Sequence, residues 1–456
     1  MNTETTIAAI STAQGSGGIA VIRISGDKAT TIADKIFVPV RDKVPSKMLG
    51  YTCAFGYIFN NNEKIDEVVL SVFKAPHSYT GEDVVEISCH GGVFLTSQIL
   101  RTVIENGATP AQAGEFTKRA FLNGKIDLTQ AEAVMELISA KSRTAVRTAL
   151  NLKDGALYRS ISNIKDNLLN LAAHLNAWAD YPEEDIAEVS TDELTTGLSN
   201  AERLLTELLQ NFDKGQAVIE GVDTVIVGKP NVGKSTLMNL LVGREKSIVT
   251  DIAGTTRDVI EEVISVGNII LRLSDTAGIR DTDNTVEKIG VELARKKLST
   301  ARLVLAVFDA GCSLDKEDLE LLDELQNAPS IAIINKTDLQ IKADVDYIRS
   351  KAKNIVSISA KNNTGLTELT EIIEKIVGTN DFDPSQAILA NERQRNSASN
   401  ALKSVKEGLS ALQIGMTFDA VTVTIEDAID SLLELTGERT SDAVIDKVFH
   451  NFCVGK

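Results

Sequence analysis

The run Gly228-Lys229-Pro230-Asn231-Val232-Gly233-Lys234-Ser235-Thr236 holds the residue types from which a phosphate-binding loop is built. Glycines let the backbone wrap around an anion so that successive N–H groups point inward, and the helix start beyond adds partial positive charge. Lys234 can reach the β- and γ-phosphates of a nucleotide, and Ser235 can place its hydroxyl on a magnesium ion. The β-branched run Thr224-Val225-Ile226-Val227 precedes the loop and residues 236–241 follow with helical spacing. That strand–loop–helix context separates the motif from a chance Gly-Lys turn. Downstream, Asp275-Thr276-Ala277-Gly278 follows the strand-like Ile269-Ile270-Leu271-Arg272-Leu273. In nucleotide-binding loops of this class such an Asp holds magnesium through water and the Gly N–H senses the γ-phosphate. Between the two lies Thr250-Asp251-Ile252-Ala253-Gly254-Thr255-Thr256-Arg257-Asp258, in which Thr256 is the candidate to complete the magnesium shell.

Base selection points to Asn335-Lys336-Thr337-Asp338, directly after Ile331-Ala332-Ile333-Ile334. A carboxylate at Asp338 accepts two parallel hydrogen bonds from the N1–H and 2-amino group of guanine; adenine lacks both donors and would leave it unpaired. Ser359-Ala360-Lys361, after another β-branched run, would contact the guanine carbonyl through a backbone N–H. The nucleotide expected is therefore GTP. One position departs from the small-GTPase pattern: Ile279 stands where many such proteins place the Gln that orients the attacking water. Hydrolysis then needs another residue, and the acidic segment 281–287 lies just beyond.

These residues must be positioned by a chain of 456 residues, enough for two to four domains. The net charge of −17 argues against broad non-specific nucleic-acid binding without excluding a local basic face. No apolar run approaches membrane-spanning length, and four scattered cysteines lack metal-ligand spacing, which fits a reducing cytoplasm. Strand and helix signals alternate in the first 118 residues: strands at 19–24, 68–73 and 84–87, and a helix at 93–105. Two stretches there stand out, Ser78-Tyr79-Thr80-Gly81-Glu82-Asp83 with His90-Gly91-Gly92, and residues 114–125; taken alone, they read as a turn and a solvated helix start.

Residues 119–216 turn helical, with one stripe from Leu128 through Ala145, a second from Ile161 to Trp178, and a third from Leu194 to Phe212, stopped at Gly215. Helical stripes resume in residues 381–456, the last starting near Ser441-Asp442. The expected architecture is multidomain α/β plus all-α. It comprises an N-terminal domain (1–118), a helical domain (119–216 and 381–456), and a parallel-sheet nucleotide domain (217–380) inserted into it.

With the terminal Phe452-Cys453-Val454-Gly455-Lys456, these motifs closely resemble the MnmE (TrmE) family of tRNA-modification GTPases, within the TrmE-Era-EngA-like class. The resemblance covers essentially the whole chain. It implies a folate-binding N-terminal domain that also forms a homodimer, a helical domain, and a Ras-like G domain. It further implies that, with the flavoprotein MnmG, the protein adds an aminomethyl or carboxymethylaminomethyl group to C5 of the wobble uridine of tRNA. The carbon would come from a 5-formyl- or 5,10-methylene-tetrahydrofolate. Family folate contacts map onto Arg23, Glu86, Lys125 and Lys456; a carboxylate suits the donors of a pterin and a cation suits the glutamate tail. Without the family, Glu86 would read as an exposed strand residue and Cys453 as a packed thiol or a nucleophile. The catalytic pair implied is Lys234 with Glu287, the family's water-positioning carboxylate. A potassium ion held by Asn231, Thr250, Ile252 and Thr255 would replace an arginine finger. The rivals are a potassium-dependent regulatory GTPase of the ribosome-assembly kind and an interaction scaffold. Both leave residues 1–125 and the Cys-x-Gly-Lys end unexplained.

Overall fold

The computed structural model describes residues 5–13, 15–180, 190–244, 261–267, 269–274 and 301–456. The chain divides into two compact units: residues Met1–Met135 with Tyr158–Glu202 and Ser397–Lys456, and residues Glu136–Leu157 with Arg203–Asn396.

The first unit opens with a sheet of β1 (Ile7–Ile10), β2 (Ile19–Ser25), β3 (Phe37–Pro39), β4 (Thr52–Asn60), β5 (Glu63–Phe73), β6 (Val84–His90) and β7 (Thr109–Pro110), in the order β3-β4-β5-β6-β2-β1-β7. Alternation decides its faces. Val68, Leu70 and Val72 of β5 and Ile22 and Ile24 of β2 point inward against α1 (Ala29–Ile36) and α2 (Val93–Glu105), burying Ile32, Ile36, Ile99 and Val103. The alternate positions look outward, among them Phe55, Val69 and Glu86. After α2 comes α3 (Glu115–Leu122), which is not the solvated helix start expected: Phe116, Thr117 and Arg119 are buried.

The helices that follow are α4 (Leu128–Ser139), α5 (Arg143–Lys153), α6 (Ala156–Asp180), α7 (Thr191–Gln210) and α8 (Phe212–Ile219). Two expected boundaries shift. The stripe from Leu128 to Ala145 is two helices, because Ser142 caps α5 by accepting the Ala145 N–H at 3.1 Å. Gly215 does not stop a helix but lies inside α8, where a Cβ would come 2.7 Å from Ile388 Cδ1; the glycine serves close packing.

The second unit holds a sheet of β8 (Val222–Val227), β9 (Glu261–Val266), β10 (Ile269–Ser274), β11 (Leu303–Asp309), β12 (Ser330–Asn335) and β13 (Ile355–Ser357), ordered β13-β12-β11-β8-β10-β9. All neighbours are parallel except β9 with β10. Its continuous apolar strands are buried on both faces, as parallel sheets require. The accompanying helices are α9 (Lys234–Arg244), α10 (Lys316–Glu324), α11 (Val345–Lys351) and α12 (Leu366–Val377). The chain ends with α13 (Glu392–Gln413), α14 (Phe418–Thr436) and α15 (Asp442–His450). In the first unit Lys165 of α6 reaches the Glu438 carboxylate just beyond α14 with both contacts at 2.9 Å, and Trp178 meets Phe418 edge-on at 5.7 Å.

Candidate functional site

The first candidate lies at the carboxyl ends of β8, β11, β12 and β13. The loop from β8 into α9 is bent by left-handed residues: Asn231 at φ 62° and Gly233 at φ 99°. At Gly233 glycine is required twice, by its φ and because a Cβ there would overlap the Asn335 side-chain nitrogen. Val232 is buried and anchors the loop, and its carbonyl accepts Asn335 Nδ2 at 3.0 Å. Asn335 Oδ1 in turn accepts the Ala360 N–H at 3.1 Å. One buried amide thus ties the phosphate loop to the loop carrying Ser359, Ala360 and Lys361.

Lys234 donates its ammonium to the carbonyls of Gly228 (2.6 Å) and Lys229 (2.7 Å), and burial pushes its pKa down. Two of its three donors are thereby fixed, which aims the head group along the loop. Ser235 and Thr236 are exposed in the first turn of α9, where hydroxyl and helix N-terminus together suit a magnesium-bound phosphate. Lys336, at φ 64°, donates to the Asn231 carbonyl (2.7 Å) and to Asp309 Oδ2 (2.6 Å). Asp338 Oδ1 accepts the Ser359 hydroxyl at 2.6 Å, a bond that holds the Asp338 carboxyl below its ordinary range, with Lys361 and Lys336 adding to the effect. Asp338 is therefore an ionised acceptor. The remaining expected nucleotide and ion residues, Thr250, Asp251, Ile252, Ala253, Gly254, Thr255, Thr256, Asp275, Thr276, Ala277, Gly278 and Glu287, lie outside the described residues.

The second candidate is built on the outward face of the N-terminal sheet. Arg23 and Glu86 are direct cross-strand partners on β2 and β6, and Arg23 Nε donates to Glu86 Oε1 at 2.8 Å. The guanidinium sits 5.4 Å from the Tyr79 ring centre and 5.6 Å from that of Phe116, within cation–π range of both. Tyr79 is fixed by a 2.8 Å bond between its hydroxyl and that of Thr117. Below them Arg119 is 3% exposed and gives both Glu82 carboxylate oxygens a hydrogen bond, at 3.1 and 3.0 Å. Glu82 also accepts the Ser25 hydroxyl at 2.7 Å. Residues 79–82 and 116–119 are thus one packed assembly, whereas His90, at the end of β6, bonds Asp66 instead.

The chain end completes this site. Val454 bridges Ala113, the Cys453 carbonyl accepts the Gly114 N–H (3.3 Å), and the Lys456 carbonyl accepts the Phe116 N–H (3.2 Å). Gly455 O accepts the Ser11 hydroxyl at 3.0 Å and Arg23 Nη1 at 3.4 Å. The Arg23–Glu86 pair and the backbone of the chain end therefore meet in one place. Lys125 joins through the Tyr79 loop, donating its ammonium to the Pro76 carbonyl at 3.0 Å and packing against Gly81. Sequence reasoning missed Tyr79, Phe116, Ser11 and Gly455 as site residues; Tyr79, Phe116 and Gly455 lay in stretches with a visible signal, whereas Ser11 lay in none. Of the thiols, Cys89 is buried and its pKa is pushed up to about 11, which makes it inert, whereas Cys453 is exposed.

Two family models match the chain. The family model for the GTP-binding protein TrmE N-terminus matches residues 6–125, and that for the MnmE helical domain matches residues 128–453. The tRNA modification GTPase MnmE of Clostridioides difficile (strain 630) is 42% identical over 456 residues, 99% of each chain. The protein of the same name from Lactococcus lactis subsp. cremoris (strain SK11) is 44% identical, covering 99% of this chain and 98% of its own. Among solved structures, the G domain of the T. maritima FeoB iron transporter aligns at 28% identity over 34% of this chain and 98% of its own, with a TM-score of 0.26.

Proposed function

The chain belongs to the MnmE family of tRNA-modification GTPases, and from that premise we propose that GTP turnover in its Ras-like G domain drives modification of the wobble uridine of tRNA at C5. The observation that carries this reading is the coexistence in one chain of a phosphate loop, with the Asp338–Ser359 pair of the neighbouring loops, and an Arg23–Glu86 site closed by the chain end. A ribosome-assembly switch would leave the second site without a purpose. Nucleoside analysis of tRNA from cells lacking this protein tests it: wobble uridines should lose their C5 substituent, and an unchanged nucleoside profile would remove the assignment.

At the nucleotide site, Ser235 and Thr256 would hold magnesium, which supplies charge neutralisation at the β- and γ-phosphate oxygens. Lys234, oriented by two loop carbonyls, adds positive charge to the same oxygens. Asp338 and a backbone N–H of the Ser359-Ala360-Lys361 loop would read the base, and Glu287 would orient the attacking water in place of the residue missing at Ile279. In the second site, Glu86 would accept the ring N–H and amino donors of a tetrahydrofolate, which supplies the one-carbon unit. Because Arg23 is bonded to Glu86, both serve the same end of the ligand. The glutamate tail would then fall to Lys125 or Lys456.

The flavoprotein MnmG is the proposed partner, and a second copy of this chain the other. Val40, Phe55 and Val69 form an exposed apolar row across β3–β5, since Val40 N–H bonds Phe55 O at 3.1 Å and Phe55 pairs with Val69. A second copy covering that row would make the homodimer; a monomer in sedimentation at micromolar concentration would rule it out. No helix among the described residues is long and apolar enough to cross a membrane. The cytoplasm, where tRNA substrates reside and free thiols stay reduced, is the proposed location.

GTP hydrolysis should run several-fold faster in potassium chloride than in sodium chloride at equal ionic strength, with nucleotide affinity little changed. Charge developing on the β–γ bridging oxygen needs a positive partner, and Asn231, a residue of the phosphate loop, would supply an amide oxygen to the ion. Asn231→Gly suits the control better than Ala, because φ 62° at this position penalises a Cβ whatever the side chain does. Equal rates in both salts would remove the ion from the mechanism.

A further inference from the structure

Lys229 of the phosphate loop has its ammonium 2.6 Å from Asp315 Oδ2 and 2.6 Å from Asp318 Oδ2. Asp315 and Asp318 are not a loose acidic surface. Asp315 is the N-cap of α10, and the two form a reciprocal capping box in which each accepts the other's backbone N–H at 3.2 Å. Asp318 is 5% exposed. A buried carboxylate bonded into a helix start is a rigid anchor. The Lys229 backbone carbonyl is meanwhile one of the two acceptors that fix Lys234. Its neighbours are arranged likewise: Asp309, at the end of β11, takes Lys336, whose ammonium also holds the Asn231 carbonyl. Carboxylates along one segment, from the end of β11 to the start of α10, thus hold the phosphate loop at Lys229 directly and at Asn231 through Lys336.

We propose that Lys229 is a positioning residue for nucleotide binding. Its side chain, anchored on α10, fixes the carbonyl that aims Lys234, so the phosphate nest is assembled before a nucleotide arrives. A loop anchored in this way opens less often around a bound nucleotide, and nucleotide escape is slowed. The effect falls equally on GDP and GTP, since both present the β-phosphate that the loop encloses. The charge of Lys229 also fits the anchor: two carboxylate partners raise its pKa despite the burial that opposes them, so it stays an ammonium.

The test is stopped-flow release of fluorescent GDP and of a fluorescent non-hydrolysable GTP analogue from the full-length protein, read beside its thermal unfolding. Lys229→Met should release both nucleotides faster by roughly tenfold, the size expected for losing a charged hydrogen-bond anchor. Lys229→Arg, which keeps charge and reach, should restore slow release. Asp318→Asn should reproduce the faster release, and the double variant should be no faster than either single one. Release rates at the wild-type value in both Lys229→Met and Asp318→Asn, with only the unfolding temperature lowered, would make the contact a mere surface-stabilising pair and overturn the proposal. Failure of Lys229→Arg to rescue would do the same.

Discussion

Asp338→Asn is expected to cost GTP affinity a factor of roughly 10²–10⁴ and to create affinity for xanthosine triphosphate. The size follows from two hydrogen bonds to a charged acceptor, each worth about 1.5–3 kcal/mol. In the wild type the Ser359 hydroxyl, 2.6 Å from Oδ1, keeps the carboxylate ionised and oriented, so both guanine donors meet acceptors. An asparagine puts an N–H₂ where one acceptor stood, facing the guanine amino group donor to donor. Xanthine carries a carbonyl at that position and keeps its N1–H, so the new amide matches it. The variant should therefore hydrolyse the xanthine nucleotide at a rate near that of wild type with GTP, since the phosphate loop is untouched. Titration of both nucleotides against both proteins decides it. GTP affinity within threefold of wild type, or no gain for the xanthine nucleotide, would move base recognition elsewhere in the loops.

That prediction was accessible from the chain alone, because the residues expected to read guanine are local: Asn335, Lys336 and Asp338 lie within four consecutive positions, and the carboxylate chemistry is written in the residue type. The phosphate loop was legible for the same reason, as was most of the strand and helix pattern. What the residues could not announce were contacts made across long sequence separations. Lys229 finds Asp315 only because β8 and β11 lie side by side, an adjacency that no motif encodes. Arg23 and Glu86 read as two separate ligand contacts; the register of β2 against β6 makes them a bonded pair. Arg119 looked solvated because its exposure depends on Glu82, which approaches it from another strand-loop connection. Gly215 misled for the opposite reason: a local helix-stopping signal was overridden by the need to admit Ile388.

Adding a single methyl group at the chain end, Gly455→Ala, should weaken tetrahydrofolate binding by about 10- to 100-fold while leaving GTP hydrolysis in place. Gly455 has φ 96°, a conformation that penalises any Cβ, and a Cβ there would lie 2.9 Å from Ser11 Cα and closer still to the Ile10 carbonyl. The tail must therefore lift from β1. Its departure removes the carbonyl that accepts Ser11 Oγ and Arg23 Nη1, and with it the contact that steadies the guanidinium between Tyr79 and Phe116. Glu86 then loses a fixed partner, and the carboxylate proposed to receive the pterin donors loses its orientation. One hydrogen bond to a charged group plus one neutral bond sets the expected scale. Glu86→Gln supplies the comparison: it keeps the tail but removes the charge, and should weaken the same ligand. Isothermal titration with tetrahydrofolate, run beside a GTPase assay on the same preparations, separates the outcomes. Lost folate binding with normal GTP turnover assigns the tail to the second site. Wild-type folate affinity in Gly455→Ala, with Glu86→Gln impaired, would leave the Arg23–Glu86 pair as the site and reduce the tail to packing.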